Sequence, residues 1–521
     1  MITASNFLSR IPPLFSDLSK IMLGDIDCTH TTLTRYSTDG SPYAVLPQAV
    51  MYPKNATDIK HILSFAREYM MPVTVRGKGT ARSGGSLGEG IIIDMCRYFS
   101  QIRSVNMVEN IVTVDAGVTI GELLGKLHAW NVDLPFITVG ESESTVGGLV
   151  ATKSIHTGSY RHGSTREWIE SLTVVIDNGE EHILSDGITP SGRLLGIYQD
   201  IFPLFTKETG VIRAAKPSSH DDAMGYNIWN PTIGPRQLID VLSGSEGTLG
   251  IITSITFRTS PYKKYSITSC IPITDTNCLP VYIEIAKRHG SEAMFLYDHT
   301  VLELAEKYYP TLVPFFIDTP YVLLVTHTHS DVEKLHQAIR MYTRALPIDE
   351  HTIKTLVGTD VTKRILEGNF CSSLGDRYTN GTLTPITIAD GLIVEVSLLP
   401  SFLKDLEEYL DSLGRLYMIT GAVGSGHISV TILFDPKTES YEDDILHYGE
   451  AVFSLVQDYK GGISSAGGDG LARTPYLSYM YNDAMLSVFR RLQQAFDPLA
   501  ICNPGKKVTI TTTYLKEHIR R

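Results

Sequence analysis

The sequence predicts an α+β protein built in two parts, and three observations carry that reading. Strand-like apolar runs crowd the first 260 or so residues without the regular strand–helix alternation of a doubly wound sheet. A polar break, Thr259-Ser-Pro-Tyr-Lys-Lys264, follows the alternating run Ile251–Phe257. Beyond it the pattern changes to strand–helix–strand units, which fits a ferredoxin-like sheet. At 521 residues the chain also exceeds what one core can serve, so two or three domains are expected.

Taken in order, residues 1–40 read as a short helical lead-in and a polar loop, Cys28 to Gly40. Ala44–Pro53 is a strand closed by proline. Thr57 is placed to cap a helix, because Ile59, Ile62, Leu63 and Ala66 follow at helical spacing. Val73-Thr-Val, Gly90–Asp94 and Ile111–Asp115 are strands, and Thr119 caps a helix from Gly121 to Trp130. Leu172–Ile176 and Ile183-Leu184 form a hairpin through Asp177-Asn-Gly179. In the second part, Pro280–Arg288, Asp331–Leu346, Leu399–Leu413 and Asp483–Phe496 are helices. Tyr321–Thr326 and Gly391–Ser397 are strands.

Composition narrows the function. A formal net charge of -12 argues against a nucleic-acid partner. No run of 18 apolar residues could span a bilayer, and Met1–Phe15 lacks the pattern of a signal peptide, so a cytoplasmic or membrane-peripheral location is expected. The six cysteines are scattered without C-x-x-C spacing, which supports neither an iron–sulfur cluster nor a thiolate zinc site.

Two glycine-rich segments are the strongest chemical signal. Pro72–Gly85 contains Arg76-Gly-Lys-Gly-Thr80 and Ser83-Gly-Gly85; Glu141–Thr152 contains Thr145-Val-Gly-Gly148. Glycine lets a loop turn its successive N–H groups toward one point, a nest that binds a pyrophosphate with few cations. Neither segment is a Rossmann fingerprint or a Walker loop, so another kind of dinucleotide-binding loop pair is the reading. Gly244-Ser-Glu-Gly-Thr-Leu-Gly250 leads into the strand at Ile251 as a third element.

Together these segments resemble the FAD-linked D-lactate, glycolate and D-2-hydroxyglutarate dehydrogenase branch of the vanillyl-alcohol oxidase / p-cresol methylhydroxylase (PCMH) flavoprotein superfamily. Arg35–Tyr43, Arg76–Thr80, Tyr160–Gly163, Gly225–Asn227, Gly244–Gly250, Phe496–Pro498 and Asn503–Lys506 carry the resemblance over nearly the whole chain. It implies a lead-in at 1–41, a two-subdomain PCMH-type FAD-binding domain at 42–262 and an FAD-linked oxidase C-terminal cap domain at 263–521. It also implies noncovalent FAD, since residues 76–86 contain no histidine. The residues it assigns to the cofactor are Arg76, Gly77, Lys78, Gly79, Thr80, Ser83, Gly84, Thr145, Gly148, Thr152, Glu246, Gly247, Gly250, Ile252 and Asn503. The implied chemistry is hydride transfer from a D-2-hydroxy acid to flavin, with a base for the hydroxyl proton.

The substrate half departs from the branch. Relatives carry GHxGDGNxH and SGEHGDGLxR, whose histidines and glutamate hold a divalent metal. Here Gly421–Val430 places Ala422 and Ser429 at the histidine positions and His427 at the asparagine. Ser464–Arg473 places Ala466 and Gly467 at the glutamate and the histidine that follows it. The joint loss predicts no metal. His427 remains as a base, a substrate donor or a structural histidine. Arg473 remains as a carboxylate anchor or a partner of Asp469; these two are the catalytic candidates. Two alternatives stand beside a D-lactate/glycolate-class substrate: a metal-independent FAD enzyme for another alcohol, or a non-catalytic flavin subunit of an electron-transfer complex. The expected electron acceptor is a quinone, a carrier protein, an iron–sulfur subunit or oxygen.

Overall fold

A computed structural model describes residues 12–137, 142–154, 156–219, 222–230, 235–309, 318–357, 370–465 and 467–521. Glu141 and Ala466 lie outside the described residues. Strands β1 (Asp25–Asp27), β2 (Ala49–Tyr52), β3 (Val73–Arg76) and β4 (Ile91–Asp94) form one sheet in the order β1-β2-β4-β3. Its inner pairs, β2 with β4 and β3 with β4, are parallel, and β2 and β4 are buried along their whole length, as strands covered on both faces must be. The helix Ala56–Glu68 packs Ile59, Ile62, Leu63 and Ala66 into this core. Its cap is Asn55 rather than Thr57; the Asn55 carboxamide accepts from the Asp58 amide at 3.0 Å. The stretch read as a polar loop holds a helix, His30–Tyr36, capped by Thr29.

A second, antiparallel sheet contains β5 (Ile102–Asn106), β6 (Ile111–Asp115), β7 (Ile169–Val175), β8 (Glu181–Ser185) and β9 (Ile251–Arg258), in the order β5-β6-β9-β7-β8. The helix Ile120–Ala129 has the expected Thr119 cap, completed by Glu122 as a capping box. The β7–β8 hairpin turns at Asn178-Gly179, where Gly179 has φ +81°. The chain stays with this half through Pro261, which pairs with Val132.

The second half is one long antiparallel sheet. It is built from β10 (Tyr265–Ile273), β11 (Ala293–Asp298), β12 (Tyr321–His329), β13 (Lys354–Val357), β14 (Thr384–Ile386), β15 (Tyr417–Gly421) and β16 (His427–Phe434), in the order β13-β10-β12-β11-β15-β16-β14. Its first four strands, with the helices Leu279–Arg288 and Val332–Ala345, form the split β-α-β arrangement of a ferredoxin-like unit. The apolar run Gly391–Ser397 is not a full strand. Only Leu392–Ile393 pairs, with Ile428 and His427, because the Gly391 amide turns to the Ser429 hydroxyl and the Val394 amide to the Gly426 carbonyl.

Glu292, just before β11, ties the halves together. His162 Nε2 lies 2.6 Å from one carboxylate oxygen and Lys263 Nζ 2.7 Å from the other. Burial would push this carboxyl up, but the bonds and charges of His162 and Lys263 outweigh it and hold it at about 2. A depressed carboxyl stabilises the fold above its ordinary value of 4.5, and that stability is lost as pH falls toward 2. Buried Asp298, pushed up to about 7, acts oppositely and in a higher window, its contribution being lost as pH rises from 3.8 through 7. We therefore expect Glu292→Gln to be about 3 kcal/mol less stable than wild type at neutral pH and to converge on it near pH 2; chemical denaturation at a series of pH values measures the difference.

Candidate active site

The described residues enclose a cleft of about 1230 Å³, mouth included, between the two sheets of the first half, closed by the second half. Its floor is the end of β3 with the loop after it, the 144–154 segment and the start of β9. Asp390, Gly467 and Arg473 reach it from the second half. Of the residues expected at the cofactor, all but Gly84 and Asn503 line this cleft.

The two glycine loops fit closely against each other. A Cβ at Gly77 would lie 2.2 Å from Thr145 Oγ1, and one at Gly147 would lie 2.7 Å from Ala116 Cβ. Thr80 Oγ1 and Ser144 Oγ are 3.0 Å apart across the join, and the Gly148 amide donates to Thr145 Oγ1 at 3.2 Å. Only glycine allows so close an approach here.

Arg76 does not offer its charge to the cleft. Its guanidinium donates back to the carbonyls of Tyr36 at 3.0 Å and Thr38 at 2.7 Å and lies over the Tyr36 ring, so it anchors the lead-in. Asn503 also works from behind. Its amide nitrogen donates to Gly85 O at 3.0 Å and Glu246 O at 2.6 Å, and its carbonyl oxygen accepts from Thr74 Oγ1 at 3.0 Å. Gly84, at φ +76°, packs on Leu471. The Ser83 hydroxyl donates to Gly467 O at 2.7 Å and so joins the first loop to the second half.

Glu246 is fixed by a buried triad. Lys507 Nζ lies 3.0 Å from its carboxylate and 2.9 Å from that of Asp469, and the amides of Asp469 and Gly470 donate to Glu246 at 2.9 and 3.0 Å. Burial disfavours the Lys507 charge, but Asp469 and Glu246 outweigh it and raise its affinity for a proton. Asp469 is thus paired with Lys507. Arg473, fully buried, donates to Gly468 O at 2.5 Å and to the main-chain carbonyl of Asp390.

His427 does not line the cleft. It is buried, with Nδ1 2.5 Å from Ser465 Oγ, and that hydroxyl donates to Gly391 O at 2.7 Å. Ser429 Oγ donates to the Asp390 carboxylate at 2.6 Å. Arg82 and Asp390, which the sequence reading did not nominate, form an ion pair of 2.9 Å at the cap end of the cleft. The signal for both was present: an arginine inside the first glycine loop, and an acid interrupting an apolar run. Among the described residues no three His, Cys, Asp or Glu side chains are grouped to hold a metal. The residues at the relatives' ligand positions do not fit one.

The FAD binding domain model matches residues 47–185, and the model for the C-terminal domain of FAD linked oxidases matches residues 276–507. The chain belongs to the FAD-linked oxidases of the vanillyl-alcohol oxidase / p-cresol methylhydroxylase superfamily. It is 26% identical to D-2-hydroxyglutarate dehydrogenase of Pseudomonas putida, over 93% of this chain and 50% of that protein. It is 24% identical to glycolate oxidase subunit GlcD of Bacillus subtilis, over 90% and 91% of the two chains. It is also 24% identical to D-lactate dehydrogenase of Archaeoglobus fulgidus, over 91% and 95%. The chain spans about half the length of the first curated relatives it matches. In fold it is similar to 4-ethylphenol oxidase from Gulosibacter chungangensis (TM-score 0.69, 13% identity, 98% and 99% covered). It is similar also to alkyldihydroxyacetonephosphate synthase (TM-score 0.65, 15% identity, 95% and 85% covered). FAD is the cofactor these domains specify, and the cleft fits it in size, in its glycine lining and in the absence of His or Cys from the 76–86 loop.

Two variants test this construction. Gly77→Ala forces the loops apart and is expected to purify folded but with most of its FAD lost, read as the flavin-to-protein absorbance ratio. Lys507→Met leaves two buried carboxylates without their cation and is expected to destabilise the protein by about 3–5 kcal/mol in denaturant unfolding.

Proposed function

We propose that the protein oxidises a D-2-hydroxy acid of the lactate or glycolate class to its 2-oxo acid, without a metal in the cap. The observation that carries this is the partly exposed guanidinium of Arg82 at the cap end of the cleft, backed by the buried guanidinium of Arg473. A guanidinium is planar and always charged, and it recognises a carboxylate through two parallel bonds. The relatives named for D-2-hydroxyglutarate, D-lactate and glycolate support the same substrate class. Bound FAD supplies the two-electron acceptor; the chain holds the substrate anion, shields it from water and receives the hydroxyl proton. The Ser429 hydroxyl, directed at Asp390, favours the metal-free form. The electrons then leave to a quinone, a carrier protein, an iron–sulfur subunit or oxygen.

Anaerobic mixing with D-lactate, glycolate or D-2-hydroxyglutarate is expected to bleach the flavin, and prior treatment with a chelator to leave the rate unchanged. A preparation with full FAD that none of these acids bleaches would refute the substrate class. Bleaching that chelator abolishes and zinc or manganese restores would refute the metal-free form.

A further inference from the structure

We infer that Asp390 is the proton acceptor of the reaction, a role resting on the alcohol-oxidising function proposed above. Removing hydride from a CH–OH carbon yields a carbonyl only if the hydroxyl proton also leaves. The C–H pair of electrons goes to the flavin, and the O–H proton must go to a base beside it. Among the described residues lining the cleft, the only acids are Glu246 and Asp390, and no histidine or tyrosine lines it. Glu246 is saturated by Lys507 and two main-chain amides. Asp390 comes from the cap, where the substrate's reacting end must lie if Arg82 holds its carboxylate.

The surroundings of Asp390 are those of a fixed base. One carboxylate oxygen meets Arg82 at 2.9 Å and the other accepts from Ser429 at 2.6 Å. The Gly391 amide donates to Ser429 Oγ at 3.0 Å, so the same hydroxyl orients the carboxylate and the peptide after it. The main-chain carbonyl of Asp390 is held by Arg473 and that of Gly391 by Ser465, which His427 braces from behind. His427 is on this reading a positioning residue. Charged or titratable groups facing Asp390 are Arg82 from the first glycine loop, Arg473 from the segment after Gly467, and Cys371 from the helix Phe370–Thr379. Ser429 stands where the resemblance places a metal-binding histidine, so one position serves proton removal by a different route.

Asp390→Asn keeps the size of the side chain and removes the base. With wild-type FAD content, it is expected to reduce its flavin about a hundredfold or more slowly than wild type. Its affinity for the 2-oxo acid, read from the perturbation of the flavin spectrum, is expected to stay within about threefold. Asp390→Glu, which restores a carboxylate at that position, is expected to recover part of the lost rate. An Asp390→Asn variant that reduces its flavin at the wild-type rate, or loses its FAD, overturns the assignment while leaving the proposed function standing. A wild type that no 2-hydroxy acid or other alcohol bleaches overturns both. Should Asp390→Asn fail to fold, Asp390→Ser carries the test, since flavin reduction at the wild-type rate in it would overturn the role.

Discussion

Lys507, without exposed surface, sits between the carboxylates of Glu246 and Asp469, and the cleft depends on that contact. Burying three charges is unfavourable unless every remaining donor and acceptor finds a partner. Here the third Lys507 proton goes to Ala223 O at 2.9 Å, Asp469 Oδ2 accepts from the Gly225 amide at 2.8 Å, and Glu246 takes two further amides, which leaves Asp469 Oδ1 alone in the cluster without a hydrogen bond among the described residues. The cluster thereby joins the 222–225, 244–252, 467–473 and 503–507 segments, which lie far apart in sequence. Glu246, Asn503 and Lys507 all have positive φ, at 52°, 43° and 69°. For side-chain-bearing residues this conformation costs about 1 kcal/mol or more each, and it persists only where the surroundings over-determine it.

Several charged and polar residues near the cofactor cleft likewise spend their hydrogen bonds on the fold. Arg76 binds the lead-in, Asn503 binds the backs of two loops, and buried Lys506 donates to Leu87 O at 2.6 Å. Lys506 loses proton affinity to about 8 through burial. Glycines of the two loops and of the 244–252 segment line the cleft beside Lys78, a lining suited to a phosphate-rich ligand that takes many N–H donors. At the cap end the charged side chains are Arg82, Asp390 and Arg473.

The sequence was legible where local rules decide the outcome. The Thr119 capping box, the Asn178-Gly179 turn, the helix Asp483–Phe496 and the glycine loops follow from residues within a few positions of each other. It was less legible where tertiary partners win. Gly391–Ser397 has the composition of a strand, yet its amides are taken by Ser429 and by Gly426 O, and the chain turns into a short helix at Val396. Ile102–Asn106 is an edge strand with exposed Arg103 and Ser104, so it lacks the apolar alternation that would announce it. In the site, residue identity was visible but side-chain direction was not. Arg76, Asn503 and His427 carry the right chemistry for a ligand and point it elsewhere, and nothing in their spacing distinguishes the two cases.

The period of a β-strand accounts for the altered cap. His427 and Ser429 are two apart on β16 and therefore share a face, while Ile428 between them is buried on the other. Both residues on the shared face brace one turn: Ser429 through the Asp390 carboxylate and the Gly391 amide, His427 through Ser465 and the Gly391 carbonyl. A histidine at 429 would bring a ring to a place where a single hydroxyl now bridges two groups 2.6 and 3.0 Å away, and Asp390 could not keep its present position. The replacement of one of the relatives' ligand side chains, at Ser429, and the anchoring of an acid in the cleft thus meet on one face of one strand.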